Sequence, residues 1–241
     1  MYDRRDRVKV RNAVLAATAL AWVLLAWTLG WAGPHTHQHV MTRGGVSPGA
    51  AVNWLLMLAA MMAPVLIQPI LFVRASSFAR RRGRLTLLFV AGYTAVWIVE
   101  GALMLLLTAA LGSSGSSLYG QATAVLVIAL VWQCSPAKQA CLNRCHALWE
   151  LAAFGRAADT AALTFGVTQG VWCVGSCWAW MLLPLLLPSG HLAAMTAVAV
   201  LIFCERLDNP APPSWRQRGL DRTRRIVVGR VRILVKANAT G

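Results

Sequence analysis

Six cysteines occur in the chain, at positions 134, 141, 145, 173, 177 and 204. Four of them fall into two pairs of equal spacing, Cys141-x-x-x-Cys145 and Cys173-x-x-x-Cys177. On a helix, residues four apart share a face, with their Cβ atoms about 6 Å apart. Each pair can therefore offer two thiolates to one ion, or meet a further ligand from a neighbouring helix. Thiolates and thioethers are soft ligands that suit Cu(I) above the other common ions. A plainer reading stands beside this one, because a free cysteine also packs as a small buried hydrophobe. Disulfides fit poorly: the i, i+4 geometry within one helix is unfavourable, and a cytoplasmic face is reducing.

Other soft or ionisable groups extend the list. Met57 and Met61 are four apart and Met62 adjoins them, so thioethers cluster on one apolar stretch. Met in such a stretch also serves as filler. Met181 follows the second cysteine pair, and Cys134 precedes the first. His191 and Met195 repeat the i, i+4 spacing. His35, His37 and His39 alternate, so an extended segment would project three imidazoles to one side as a weak collecting site for Cu²⁺ or Zn²⁺; a solvated polar loop is the alternative. Glu100 sits in the middle of an apolar run, where a carboxylate is costly and marks a functional candidate, either for a proton or for a partner such as Tyr93. No nucleophile–base pair, phosphate-cradling loop, HExxH motif or two-carboxylate arrangement is present, so no catalytic residue is assigned.

What must position these groups is a set of long apolar segments. The chain of 241 residues is 58% hydrophobic and only 13% charged, where a soluble domain carries about 25%; its mean hydropathy is +0.58. The apolar residues come in blocks of about 20, enough to cross roughly 30 Å of hydrocarbon. Six spans are expected, at 13–33, 50–73, 85–111, 118–134, 160–187 and 190–205, making an all-α polytopic bundle. The first is read as a retained helix rather than a signal peptide, since it is long and no small-x-small cleavage site follows.

The net charge of +15 does not point to nucleic acid, because its placement is topological. Apart from Arg43, every Lys and Arg lies before the first span, in the connections 74–84 and 135–159, or after the last span. The positive-inside rule then predicts that both termini are cytoplasmic, which requires an even number of crossings. Residues 1–206 are read as one membrane domain and 207–241 as a basic cytoplasmic tail, which serves as a topology signal or lies on anionic lipid. Pro136 is expected to end or kink the fourth helix near Cys134. Ala140, Leu142, Leu148 and Leu151 suggest a short interfacial helix after it. Pro64 and Pro69 are expected to kink the second span.

The stretches WLLMLAAMMAP (54–64), GYTAVW (92–97), WQCSPAKQACLNRCH (132–146), GVWCVGSCWAWM (170–181) and the ER at 205 resemble a bacterial family called domain of unknown function 2182. That family is described as predicted metal-binding integral membrane proteins, and it includes proteins regarded as copper chaperones for a bacterial tyrosinase. The resemblance covers roughly residues 50–206. It implies a multi-pass inner-membrane protein that handles copper and serves a copper-enzyme client. Ser176 stands where the family commonly has a third cysteine, Cys134 stands where an apolar residue is expected, and His191 where methionine or a small residue is expected.

Three readings follow. In the first, a Cu(I) chaperone or delivery factor uses Cys173, Cys177, Cys141 and Cys145, with thioethers from Met57, Met61 and Met62. In the second, a metal or proton-coupled transporter uses Glu100, the kinked second span and the buried thiols. In the third, the protein is a membrane redox enzyme or a metal-free assembly subunit. Cys173 should lie about 20 Å along its helix from Thr160, and Cys141 at the cytoplasmic surface. The two pairs are therefore expected as separate stations on a path, unless residues 135–159 fold back into the bundle.

Overall fold

The computed structural model describes residues 4–31, 48–112, 117–152, 154–187 and 190–217. The described residues are all-α, with no strand among them. Helix α1 runs Arg4–Trp31, α2 Pro48–Met62, α3 Ile67–Ala75, α4 Arg82–Gly112, α5 Leu118–Cys134, α6 Pro136–Cys145, α7 Gly155–Leu186 and α8 His191–Leu207. The 3₁₀ segment Ala63–Leu66 joins α2 to α3 and begins with Pro64 near its start. There the missing proline N–H breaks the α-helical ladder, as expected from the sequence.

Among the described residues, four stretches are long and apolar enough to cross a membrane: Arg4–Thr28, Ala51–Ala75, Arg82–Gly112 and Gly155–Leu186. A fifth results if Tyr119–Cys134 and Pro136–Cys145, bent by 67° at their junction, form one broken crossing. Large apolar side chains such as Leu87, Leu103, Leu106, Val127, Ile128 and Val131 are exposed on the outer surface, as suits a lipid-facing bundle.

The core is built on α4 and α7, which make the most extensive helix–helix contact. Phe89, Tyr93 and Trp97 line the buried face of α4. Small residues let the two backbones approach: a Cβ on Gly92 would lie 2.6 Å from the Leu163 carbonyl, and one on Gly170 would lie 2.9 Å from Val96. Such close approach through small residues is the usual means of packing helices in lipid. The Trp54 indole of α2 donates to the Trp97 carbonyl at 3.0 Å.

Charges gather at one end of the bundle. Asp6 pairs with Arg82 at 3.1 Å, and Asp159 pairs with Arg84 at 2.7 Å and Arg81 at 3.3 Å. These pairs tie the starts of α1, α4 and α7 together, although exposed ion pairs add only about 0–1 kcal/mol each.

The connection 135–159 differs from its expected form. As anticipated, α5 ends at Cys134 and Pro136 opens α6, with Ser135 accepting from the Lys138 backbone N–H at 3.1 Å. But α6 stops at Cys145, leaving Leu148 exposed and outside it. It folds back against α7, and its Lys138 and Leu142 are buried.

Candidate metal centre

The fold-back decides the geometry of the thiols. The Trp132 indole at the end of α5 donates to the Gly175 carbonyl of α7 at 3.1 Å. One turn beyond the proline, Cys141 Sγ fills the space over Gly175, 2.9 Å from where a Cβ would stand. Gly175 is two positions from each of Cys173 and Cys177, roughly 160° round the helix from them. Cys141 therefore packs on a different side of α7 from that pair, while Cys145 and Cys173 share the guanidinium of Arg206. Residues 136–145 do fold back against α7, yet among the described residues the two pairs do not close into one cluster. The bend at Pro136, and the absence of a side chain at Gly175, let α6 pack at the level of the second pair.

Cys173 and Cys177 are fully buried on one face of α7. Cys177 Sγ donates to the Cys173 carbonyl at 3.0 Å, and Ser176 Oγ donates to the same carbonyl at 2.8 Å. The Tyr93 hydroxyl of α4 donates to Cys173 Sγ at 3.2 Å. From the end of α8, Arg206 donates to Cys173 Sγ at 3.1 Å and to Ser176 Oγ at 3.4 Å. Its charge acts on all four thiols, Cys141, Cys145, Cys173 and Cys177. Burial pushes the Cys141 thiol up, and pushes Cys145 up to about 12 against the opposing pull of Arg206. Without an ion the α6 thiols are neutral, so a soft metal must displace their protons to bind them.

Beside the thiols lies a buried polar cluster. Lys138 and Glu205 pair at 2.7 Å with side-chain exposures of 0% and 1%. Gln133 Oε1 accepts from Lys138 Nζ and from the Trp180 indole, each at 2.6 Å, while its amide nitrogen donates to Glu205. Sequence reasoning placed Lys138 among the topological charges; its burial and its carboxylate partner correct that. Gln133, Lys138, Glu205 and Arg206 were noted only within the motifs, with no role of their own at the site. One signal could have found Glu205, since the rule that marked Glu100 applies equally to a second carboxylate inside the last apolar run.

The remaining candidates spread outward. Met57, Met61 and Met62 are buried on α2, in the same hydrophobic core as Cys173, Cys177, Met181 and Met195. Cys134 and Cys204 are half-buried. His191 Nδ1 donates to the Pro184 carbonyl at 2.7 Å. His146, directly after Cys145, lies within hydrogen-bond distance of the Leu142 and Arg206 carbonyls. Glu100 is half-buried on α4; Tyr93, named as its partner, gives its hydroxyl to Cys173 instead. His35, His37 and His39 lie outside the described residues, as do residues 218–241 of the basic tail.

Among the described residues, no three His, Cys, Asp or Glu side chains stand close enough to hold one ion together. The donor chemistry nonetheless suits a soft monovalent ion. Cu(I) is satisfied by two thiolates, and Cys173 and Cys177 offer two thiols on one buried face of α7.

No curated protein and no solved structure matches the chain. Residues 51–220, which include every helix from α3 to α8, match the family PpoB2, copper chaperone. With that match covering most of its length, the chain belongs to the PpoB2 copper chaperone family.

Proposed function

We propose that the protein is an integral membrane Cu(I) chaperone that holds its cargo between the thiol pairs of α6 and α7 and passes it to a copper-enzyme client. The observation that carries this reading is the guanidinium of Arg206, which meets Cys173 of α7 at 3.1 Å and also hydrogen-bonds Cys145 of α6. Family membership supports the copper chaperone role. Cys173 and Cys177 are the primary ligands, and Cys141 and Cys145 exchange with them by thiolate transfer without releasing a free ion. Met57, Met61 and Met62 add thioethers from α2, with Met181, Cys134 and His191 as outlying donors.

In this reading α5 and α8 also cross the bilayer, which gives six spans, cytoplasmic termini and a place in the bacterial inner membrane, as the resemblance to the domain of unknown function 2182 family implies. The gathering of basic residues at the starts of α1, α4 and α7 supports that orientation.

The test is Cu(I) content and affinity of the detergent-purified full chain, by competition with bicinchoninate under reducing conditions. Wild type is expected to retain about one Cu(I), as a soft two-thiolate site should, and the Cys173→Ser/Cys177→Ser variant none. Equal copper in both proteins would refute the assignment. Copper flux in proteoliposomes, without tight retention, would favour the transporter instead.

A further inference from the structure

The charges buried around the thiols do not cancel. Lys138 and Glu205 neutralise one another at 2.7 Å. Arg206 adds a second cation, and no ion pair among the described residues gives it a carboxylate. Its guanidinium meets Cys173 Sγ and Ser176 Oγ, and its Nε is buried without an acceptor. A buried cation with no carboxylate partner is costly. Such a cation is better satisfied when something beside it becomes an anion.

We propose that Arg206 is the counter-cation of the copper site, and that its single charge makes the cluster prefer a monovalent soft ion to a divalent one. The inference rests on the copper–thiol reading above and deepens it. Two thiols that take up Cu(I) lose two protons to solvent, and the resulting bis-thiolate complex carries one negative charge. With Arg206 beside it, the buried unit is neutral. A divalent ion between the same two thiolates makes a neutral complex and leaves the guanidinium uncompensated. A divalent ion is balanced there only by a third thiolate. Among the described residues no third Cys, His or carboxylate stands close enough to join the pair on one ion, whereas a cysteine at position 176, where a serine hydroxyl now accepts from Arg206, would add one.

This defines Arg206 as a positioning and selectivity residue rather than a ligand, and separates it from a merely structural one. The full chain would be purified in detergent as wild type, Arg206→Gln, Arg206→Lys and Ser176→Cys. Cu(I) affinity would be read by competition with bicinchoninate and Zn²⁺ affinity by competition with a chromophoric zinc chelator. Arg206→Gln is expected to weaken Cu(I) by about tenfold or more, given a charge about 3–4 Å from the complex in a poorly screened site, while Zn²⁺ binding holds or tightens. Arg206→Lys should restore most of the Cu(I) affinity. Ser176→Cys should tighten Zn²⁺ by a similar factor. The proposal is overturned if Arg206→Gln leaves both affinities unchanged, or lowers both equally. If Arg206→Gln does not fold, the proposal stands or falls on Arg206→Lys and Ser176→Cys, and unchanged zinc binding in the latter refutes it. A wild type that binds no Cu(I) defeats the function reading itself, whereas a copper-binding wild type with an indifferent Arg206→Gln defeats only this inference.

Discussion

Lys138 carries a full charge at a site with no exposure, and its stability depends on Glu205 and Gln133. Removing one member of a buried ion pair leaves the other uncompensated, at a cost of about 3–5 kcal/mol, whereas replacing both with apolar residues of like size is often neutral. Lys138→Met is thus expected to destabilise the chain by about that amount, and Lys138→Met/Glu205→Met by much less. Denaturant unfolding of the two variants in detergent would check this; equal losses would mean that the pair is not the energetic unit. Neither residue stood out by spacing. They are 67 positions apart, and Lys138 sits in a connection whose other basic residues, Arg144 and Arg156, also fit a topological role. The local pattern around Lys138 is the same whether it faces lipid headgroups or a carboxylate on another helix, so only the tertiary contact tells them apart. The cysteine pairs were legible because their spacing is itself a statement about one helix face. Ser176 was legible only as a missing thiol, while its position beneath the guanidinium was not.

Among the elements, α6 brings its two cysteines in against α7. Its start was readable, because a proline after a capping serine ends one helix and opens the next. Its direction was not, because a bend of 67° is fixed by what α6 meets. What it meets is a glycine, and a methyl group placed there would press on Cys141 Sγ from 2.9 Å. Gly175→Ala should displace the α6 thiols with little effect on Cys173 and Cys177. Transfer of Cu(I) to an external acceptor should slow several-fold, and one-ion binding should persist if two thiolates on α7 suffice. Stopped-flow transfer kinetics beside equilibrium affinity would separate the two. Unaltered transfer would show that Cys141 and Cys145 take no part in the path. The long apolar elements were readable for the opposite reason. Length and hydropathy are properties of a segment alone, so α1, α2–α3, α4 and α7 emerge close to where composition puts them, although α1 already begins at Arg4.

The molecule as a whole has a charged end and an apolar girdle, and the orientation we propose can be tested directly. Reporter fusions at the N-terminus, after Arg82, after Gly155 and at the C-terminus should all report the cytoplasmic side, as the positive-inside rule predicts. Opposite sides for the two termini would rule out an even number of crossings. The order in which the site's parts emerge also has a consequence for synthesis. Tyr93, Lys138, the four thiols and Ser176 all leave the ribosome before Glu205 and Arg206, which stand at the end of α8. A nascent chain halted before α8 holds every cysteine of the cluster, yet its Lys138 has no carboxylate and its thiols have no guanidinium. Copper captured at that stage would sit beside an unpaired ammonium in a half-built bundle. Under the copper function proposed above, tight loading would await α8, which also brings the carboxylate that pairs with Lys138.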